Sequence, residues 1–573
     1  MKRKEIKKQN IIQLILVVAI VILLNFVSNF TFVRLDLTAE KRYTLSPTTI
    51  EFLENLDDVV YFKVYLSGKD LPYGFKRLQN ATREMLDEFR NYADNYIQYE
   101  FIDPFESPDL ATRGEIGRQL MKKGLSPTNI EERDDKGGVS EKLIFSGAII
   151  SYREKESSLE LLKNSINSSG EENLNSSIEG LEFDLVNSIM KLSKIRKEKI
   201  AFIEGHGELP ELEIADAANS LSEFYTVKRV KINGRINSLS EFECIIIARP
   251  DSVFSNQDKF IIDQFIMRGG KALWLIDGVD VSMDSLMYSS SVIALINHTN
   301  LEDQLFKYGV RINPNLVQDM QCGGLKLKTS VAGAPLKFRT FPWVYFPLLV
   351  SNNNSSITKN LDLVKTQFVS TIDTVGVSKK VKKEFLLFSS QRSRIINAPA
   401  QIKLNLVNQV LNDDYFDKAF LPTAVLLEGE FESVFKNRLS PDFTEKKEIH
   451  FKENSQPTKM IVVADGDIIR NSFRRAEGQY IPLPLGYDRH TEMSFAGNKD
   501  FILNAVNYLL DDLGVMEIRS REIKLRLLDK ARVQNEPLFW KLINILVPIL
   551  FVVVFGIIFN YFRRRKYSIK ESI

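Results

Sequence analysis

The 573 residues carry a formal net charge of only +2, with 26% charged and 44% hydrophobic side chains, the balance of a folded body and not of a disordered tether. No basic excess marks a nucleic-acid surface. Two cysteines, Cys244 and Cys322, and four scattered histidines, His206, His298, His450 and His490, supply neither a disulfide framework nor the spacing of a structural zinc site.

The first element is an apolar run at 11–32, free of charged residues and preceded by Lys2, Arg3, Lys4, Lys7 and Lys8. At about 20 residues it has the length a helix needs to cross a hydrocarbon core. It is longer than a signal-peptide core and its exit lacks an Ala-x-Ala-like cleavage site, so it reads as a transmembrane helix. A second such run, 542–562, is followed by Arg563, Arg564, Arg565, Lys566 and Lys570 and bracketed by Trp540 and Tyr561, rings that favour the membrane interface. Positive flanks mark the cytoplasmic side, which puts residues 1–10 and 563–573 in the cytoplasm and the mildly acidic body between the spans outside it. The expected location is a bacterial inner membrane with a periplasmic body.

Residues 33–180 form a first exported domain. Ser46 before Pro47 gives the N-cap and first position of a helix. Strand-like patterns at 59–66 and 96–102 alternate with helical patterns at 74–94 and 108–123, and 139–152 adds extended segments. This order predicts a thioredoxin-like α/β layer. No Cys-x-x-Cys is present, so redox work is excluded. The stretch 163–180, rich in Asn, Ser and Glu, reads as a polar loop or linker.

Residues 181–515 form a second exported α/β domain. Apolar strands at 199–203, 226–232, 244–249 and 271–277 alternate with helices at 211–224 and 256–268, the latter closed by Gly269 and Gly270, which implies a parallel sheet with both faces covered. The expectation is a doubly wound fold, flavodoxin- or glutamine-amidotransferase-like, with a β-rich insertion at about 300–420 and Cys322 in a loop. Strands at 423–427 and 460–464 and a helix at 499–510 return to the sheet. Residues 516–541 form a membrane-proximal connector whose 525–535 portion is helix-prone.

In such a sheet the ligand position lies at the carboxyl ends of the strands. That rule brings together Glu204, His206 and Glu208 in the run Glu204-Gly205-His206-Gly207-Glu208, then 249–251, then Asp277. A histidine flanked by carboxylates serves acid/base or binding work. The structural alternative gives the two glycines the strand-to-helix turn, has His206 satisfy buried backbone groups and puts Glu208 before a helix N-terminus. Glu204, His206, Glu208 and Asp277 are therefore carried as binding candidates, with no catalytic or metal-ligating residue assigned. Asp465-Gly466-Asp467 lacks the spacing of a calcium loop and reads as a turn at a strand's end. No Walker A motif, nucleophile elbow or zinc-peptidase helix occurs in the chain, so no cofactor is expected and any ATP hydrolysis belongs to another polypeptide.

Three stretches, RLDLTAEKRYTLSPTT (34–49), FIEGHGE (202–208) and VVADGDIIRN (462–471), in this order and within this layout, resemble the auxiliary subunits of ABC transporters associated with gliding motility, the GldG-like family. The resemblance implies a non-enzymatic, periplasm-facing and possibly substrate-engaging subunit, working with a separate ABC permease and a cytoplasmic ABC ATPase in gliding motility or surface export, in bacteria of the Bacteroidetes type. It transfers no catalytic residues. Two other classes stay open on the residues alone: a membrane-anchored periplasmic hydrolase or glycan-processing enzyme using Glu204, His206 and Glu208, and a non-catalytic envelope scaffold.

Overall fold

The computed structural model describes residues 2–28, 44–68, 71–133, 139–163, 169–193, 196–329, 337–376, 380–409, 411–438, 450–476, 478–511, 514–520 and 536–568. It is a mixed α/β structure in two compact units, Met1–Arg521 and Glu522–Ile573.

The first unit opens with helix α1 (Lys2–Ser28). Helix α2 (Pro47–Glu54) starts as its sequence dictates, with the Ser46 hydroxyl accepting from the Thr49 amide at 3.0 Å and Pro47 in the first turn. Strand β1 (Val60–Val64), helix α3 (Tyr73–Tyr92), strand β2 (Ile97–Phe101) and helix α4 (Leu110–Lys122) follow. Next come a hairpin, β3 (Pro127–Arg133) with β4 (Val139–Phe145), and then β5 (Gly147–Tyr152) and β6 (Lys155–Glu160). Four strands make one sheet in the order β2-β1-β5-β6, with β1 parallel to β2 and antiparallel to β5.

The linker expected at 163–180 is instead largely helix. Helix α5 (Gly170–Ser193) begins with a reciprocal capping box: the Ser169 amide donates to Glu172 at 2.7 Å and the Glu172 amide to the Ser169 hydroxyl at 3.3 Å. Residues 164–168 lie outside the described residues, and the Asn, Ser and Glu from 169 on belong to the cap and first turns of this helix. Farther along, Leu181, Leu185, Val186 and Ile189 recur at helical spacing and are buried. From this helix, buried Glu182 accepts from the Ser46 amide and the Thr49 hydroxyl, both at 2.7 Å, an anion at the α2 N-terminus. Residue 180 lies inside α5, and one continuous apolar cluster runs from Val60 and Phe62 through Leu185 and Val186 to Ile200 and Phe202.

Beyond α5 comes the sheet that positions the site. Strand β7 (Lys199–Glu204), helix α6 (Ala215–Ser222), β8 (Thr226–Lys231), β9 (Cys244–Ala248), helix α7 (Asn256–Met267) and β10 (Lys271–Leu275) follow in turn. Together with strand Thr458–Val463 they run parallel in the order β8-β7-β9-β10-(Thr458–Val463). The chain thus reverses its direction of winding between β7 and β9, and crevices form at such reversals, outside the carboxyl ends of the strands. Every residue of the β9 sequence Cys-Ile-Ile-Ile-Ala is buried because both faces are covered. Cys244 and Ile246 pack with Ala217 and Leu221 of α6 and Phe501 of helix Ala496–Leu509. Ile245 and Ile247 pack with Ile262 and Ile266 of α7 on the opposite face.

Strands Pro422–Gly429, Val381–Phe388, Phe338–Ser351 and Cys322–Lys328 extend this sheet with antiparallel pairings. Cys322 therefore begins a strand, not the expected loop, and both cysteines are free thiols. The region expected to be β-rich also holds short helices, Met283–Ser289 just before it and Glu302–Tyr308 within it.

The second unit contains helix Pro537–Ser568, of which Pro537–Arg565 is long and apolar enough to cross a membrane. Among the described residues the apolar part of α1 is Ile11–Leu23, shorter than the about 20 residues of a full span. Residues 29–43, with most of the first resemblance motif, and 525–535 of the connector lie outside the described residues.

Candidate functional site

Glu204, the last residue of β7, does not face the loop that follows. Its carboxylate pairs with Arg229 on neighbouring β8, and Arg229 also donates to the Leu209 carbonyl at 3.1 Å. Glu204 thus fastens two strands.

His206 stands in the turn beyond it. Gly205 and Gly207 have φ of +118° and +76°, and a Cβ on Gly207 would lie 1.5 Å from the Asp251 carboxylate, so only glycine fits there. Its Nδ1 lies 3.1 Å from Glu208 and its Nε2 3.2 Å from Asp258, while the ring stacks on Phe254 at 3.6 Å. Burial alone would lower its pKa, but the two carboxylates outweigh burial and hold it above the ordinary imidazole value. Asp258, which also accepts from the Gly234 amide at 2.9 Å and the Ser255 hydroxyl at 2.9 Å, is held below the usual carboxylate range despite its burial. The His206 carbonyl accepts from the amides of Asp251 and Ser252 at 3.1 and 3.0 Å. The imidazole serves carboxylates and the backbone is satisfied by its own carbonyl, a different division of labour from either sequence reading. With both ring nitrogens engaged, the group ties the loops after β7, β8 and β9 together.

Asp277 follows β10 and belongs to a second cluster on the same edge. Its carboxylate accepts from Arg249 Nε at 3.0 Å and from the Gly466 amide at 2.5 Å. Arg249, directly after β9 and at a φ of +56°, also reaches Asp467 at 3.3 Å. Arg470 binds Glu213 with two nitrogens, at 2.7 and 3.0 Å, and Asp467 at 3.2 Å. Asp465, wholly buried, accepts from the amides of Gln367 at 2.9 Å and Asp467 at 2.7 Å.

Four carboxylates thus share two guanidiniums, Asp277, Asp465, Asp467 and Glu213 against Arg249 and Arg470, and the deficit appears in the titration. Burial, reinforced by the charge of Asp467, pushes Asp277 up to about 7 against the pull of Arg249. Burial and the charges of Asp277 and Asp467 push Asp465 well above its ordinary value. Asp467 holds Arg249 more firmly protonated still.

Glu213, Arg249, Asp467 and Arg470 of this cluster line a polar cleft of about 270 Å³. Further lining residues come from chain segments remote in sequence: Phe346, Lys365 and Phe368, with Asp488, Arg489 and His490. Lys365 meets buried Asp488 at 2.8 Å, and this ammonium outweighs burial to hold Asp488 below the usual carboxylate range. Burial lowers the pKa of His490, whose Nδ1 accepts from the Lys326 amide at 3.3 Å.

The strand-end rule therefore brings His206, Glu208, residues 249–251 and Asp277 to one edge, with His206 and Glu208 in the loop clamp, Arg249 in the cleft lining and Asp277 bonded to Arg249. Sequence reasoning missed Asp258, Arg470, Lys365 and Asp488. Asp467 and Arg470 carried a usable signal, an i, i+3 pair just past a parallel strand. The partners from 365 and 488–490 carried none. Among the described residues no group of three or more His, Cys, Asp or Glu side chains has the geometry to hold a metal ion.

Residues 197–505, which hold the sheet and nearly all of this cleft, match a family described as an ABC-type uncharacterized transport system, and 39–151 match a domain of unknown function. The family match spans more than half of the sequence, and the chain belongs to that ABC-type transport-system family. Membership makes it a transporter-associated protein. A relative described as an uncharacterized protein of Borreliella burgdorferi is 21% identical over 580 residues, covering 98% of this chain and 99% of its own. Among solved structures, the N-terminal domain of mmIFT52 matches at 12% identity with a TM-score of 0.31, over 55% of this chain and 98% of that one. PurLQS from Thermotoga maritima matches at 10% identity with a TM-score of 0.23, over 55% and 99%. Neither score is high enough to assign a fold.

Proposed function

We propose that the chain is a membrane-anchored, non-catalytic auxiliary subunit of an ABC transporter, with its body on the outer face of the bacterial inner membrane and both ends in the cytoplasm. It works beside a separate permease and a separate ATPase, in surface export or gliding motility. The observation that carries the reading is the match to a transport-system family over the same residues that build the sheet and cleft. Helix Pro537–Arg565, apolar and followed by basic residues, supports an anchor of this orientation. Helix α1, basic before its apolar stretch, is the second anchor of the proposal. Residues 33–515 are proposed as its working body, and the strand edge that carries Glu204, His206, Glu208 and Asp277 as the side that faces cargo or a partner. Engagement of His206 by two carboxylates argues against a hydrolase centred on this ring, because both nitrogens are already hydrogen-bonded.

Orientation is tested with Asn353→Cys in a Cys322→Ser background, labelled in intact cells by a membrane-impermeant maleimide after opening of the outer membrane. Asn353 is exposed. The reading predicts labelling at 353 and protection of a cysteine added after Ile573. Protection at 353 until the inner membrane is lysed contradicts it.

A further inference from the structure

The cleft between the carboxyl edge of the parallel strands and the segments around Lys365 and Asp488 has an unusual charge balance. Its lining carries four cations, Arg249, Lys365, Arg470 and Arg489, and four carboxylates, Glu213, Asp284, Asp467 and Asp488. Three of the cations already hold carboxylates of the same wall at 3.3 Å or closer. An anionic ligand would have to compete with Asp467 and Asp488 for their guanidinium and ammonium partners, and a cationic ligand with Arg249, Arg470 and Lys365 for the carboxylates. Either exchange breaks a charge-assisted bond in a partly desolvated site to make another.

A ligand with no charge of its own and many hydroxyl groups meets a different surface. Each ion pair sets a fixed donor beside a fixed acceptor, and a hydroxyl both donates and accepts. The pairs have further partners, Asp467 in Arg470 and Asp488 in the Thr491 hydroxyl at 2.8 Å, so the polar groups are in place before a ligand arrives. Phe346, Phe368 and His490 add rings to the lining. At about 270 Å³ the cleft lies just below the usual range of roughly 300–1,000 Å³ for small-molecule sites, the size of one unit of a polymer and not of an extended ligand.

We propose that this cleft binds a neutral, hydroxyl-rich ligand, a single residue of a saccharide chain, through the paired charges that line it. The ligand assignment goes beyond the transporter reading and is measured on the purified chain alone, so failure of partner association leaves it standing.

The test is saturation-transfer NMR on the full chain in lipid nanodiscs, which avoids the sugar headgroups of maltoside detergents. The probes are maltose and the disaccharide of N-acetylglucosamine, with inorganic phosphate and spermidine as charged competitors. The proposal predicts transfer to at least one saccharide, unaffected by equimolar phosphate or spermidine. Arg489 is exposed, so Arg489→Ala leaves the fold intact and weakens binding about tenfold, the loss of one charge-assisted hydrogen bond. Lys365→Met in the same assay should abolish transfer, and its thermal transition reports whether it folds. Absence of transfer to both saccharides at about 10 mM, well above a millimolar Kd, overturns the proposal. So does displacement by phosphate or spermidine, or unchanged affinity in Arg489→Ala.

Discussion

His206 lies between two carboxylates, and removing it leaves Glu208 and Asp258 facing each other without a counter-charge. His206→Asn should therefore cost about 3 kcal/mol, the range for breaking a buried pair, visible as a lowered denaturation midpoint. Its folded pKa lies above the 6.5 of a free imidazole, so the stabilisation is fully present below pH 6.5 and is lost as pH rises through the folded value. Asp277 acts in the same direction for a different reason. Its carboxyl is raised from 3.8 to about 7, so its contribution is complete below about pH 4 and declines as pH climbs to 7. Thermal scans across that window should show a falling midpoint in the wild type and a shallower fall in Asp277→Asn. An unchanged slope would mean that another group carries the proton. Gly207→Ala should destabilise by at least about 2 kcal/mol, since its positive φ and the Asp251 carboxylate both exclude a side chain.

At the scale of elements, the parallel strands were readable because burial on both faces makes them unbroken apolar runs, as in Cys244–Ala248. The N-cap at Ser46 and the C-terminal glycines of α7 were readable because each satisfies a local backbone need. Helix α5 was not, because its first turns are polar and its apolar face shows only after residue 180. Its capping box was the available signal, and Ser169→Ala should cost about 1 kcal/mol, measured by the same denaturation assay. The cleft was half legible. Arg249 and Asp467 follow parallel strands, so sequence order nearly fixes their place, whereas Lys365 and Asp488 arrive by long-range packing that no local pattern announces. Helix Pro537–Ser568 was plain from its composition. Phe551, 75% exposed, looks outward from it, and Phe551→Arg should raise the cost of insertion by about 2.5–3.5 kcal/mol and reduce membrane retention on carbonate extraction.

For the molecule as a whole, one apolar cluster spans the first sheet, α5 and the central sheet, so force applied at one end of the body is carried through packed side chains and not through a slack linker. On the proposed transporter reading the energy comes from a partner, and a coupling of that kind requires two states with different contacts to that partner. The clamp at His206 and the cleft share one strand edge, where loops and not strands supply the contacts. The most direct measurement is purification of the tagged chain from its native membrane in a mild, non-maltoside detergent, with identification of copurifying proteins and assay of ATP hydrolysis. The account predicts a multispan permease and a nucleotide-binding protein in stoichiometric amounts, and ATPase activity that follows them and not this chain. Recovery of the chain alone, from membranes where it is abundant and in several mild detergents, would contradict it.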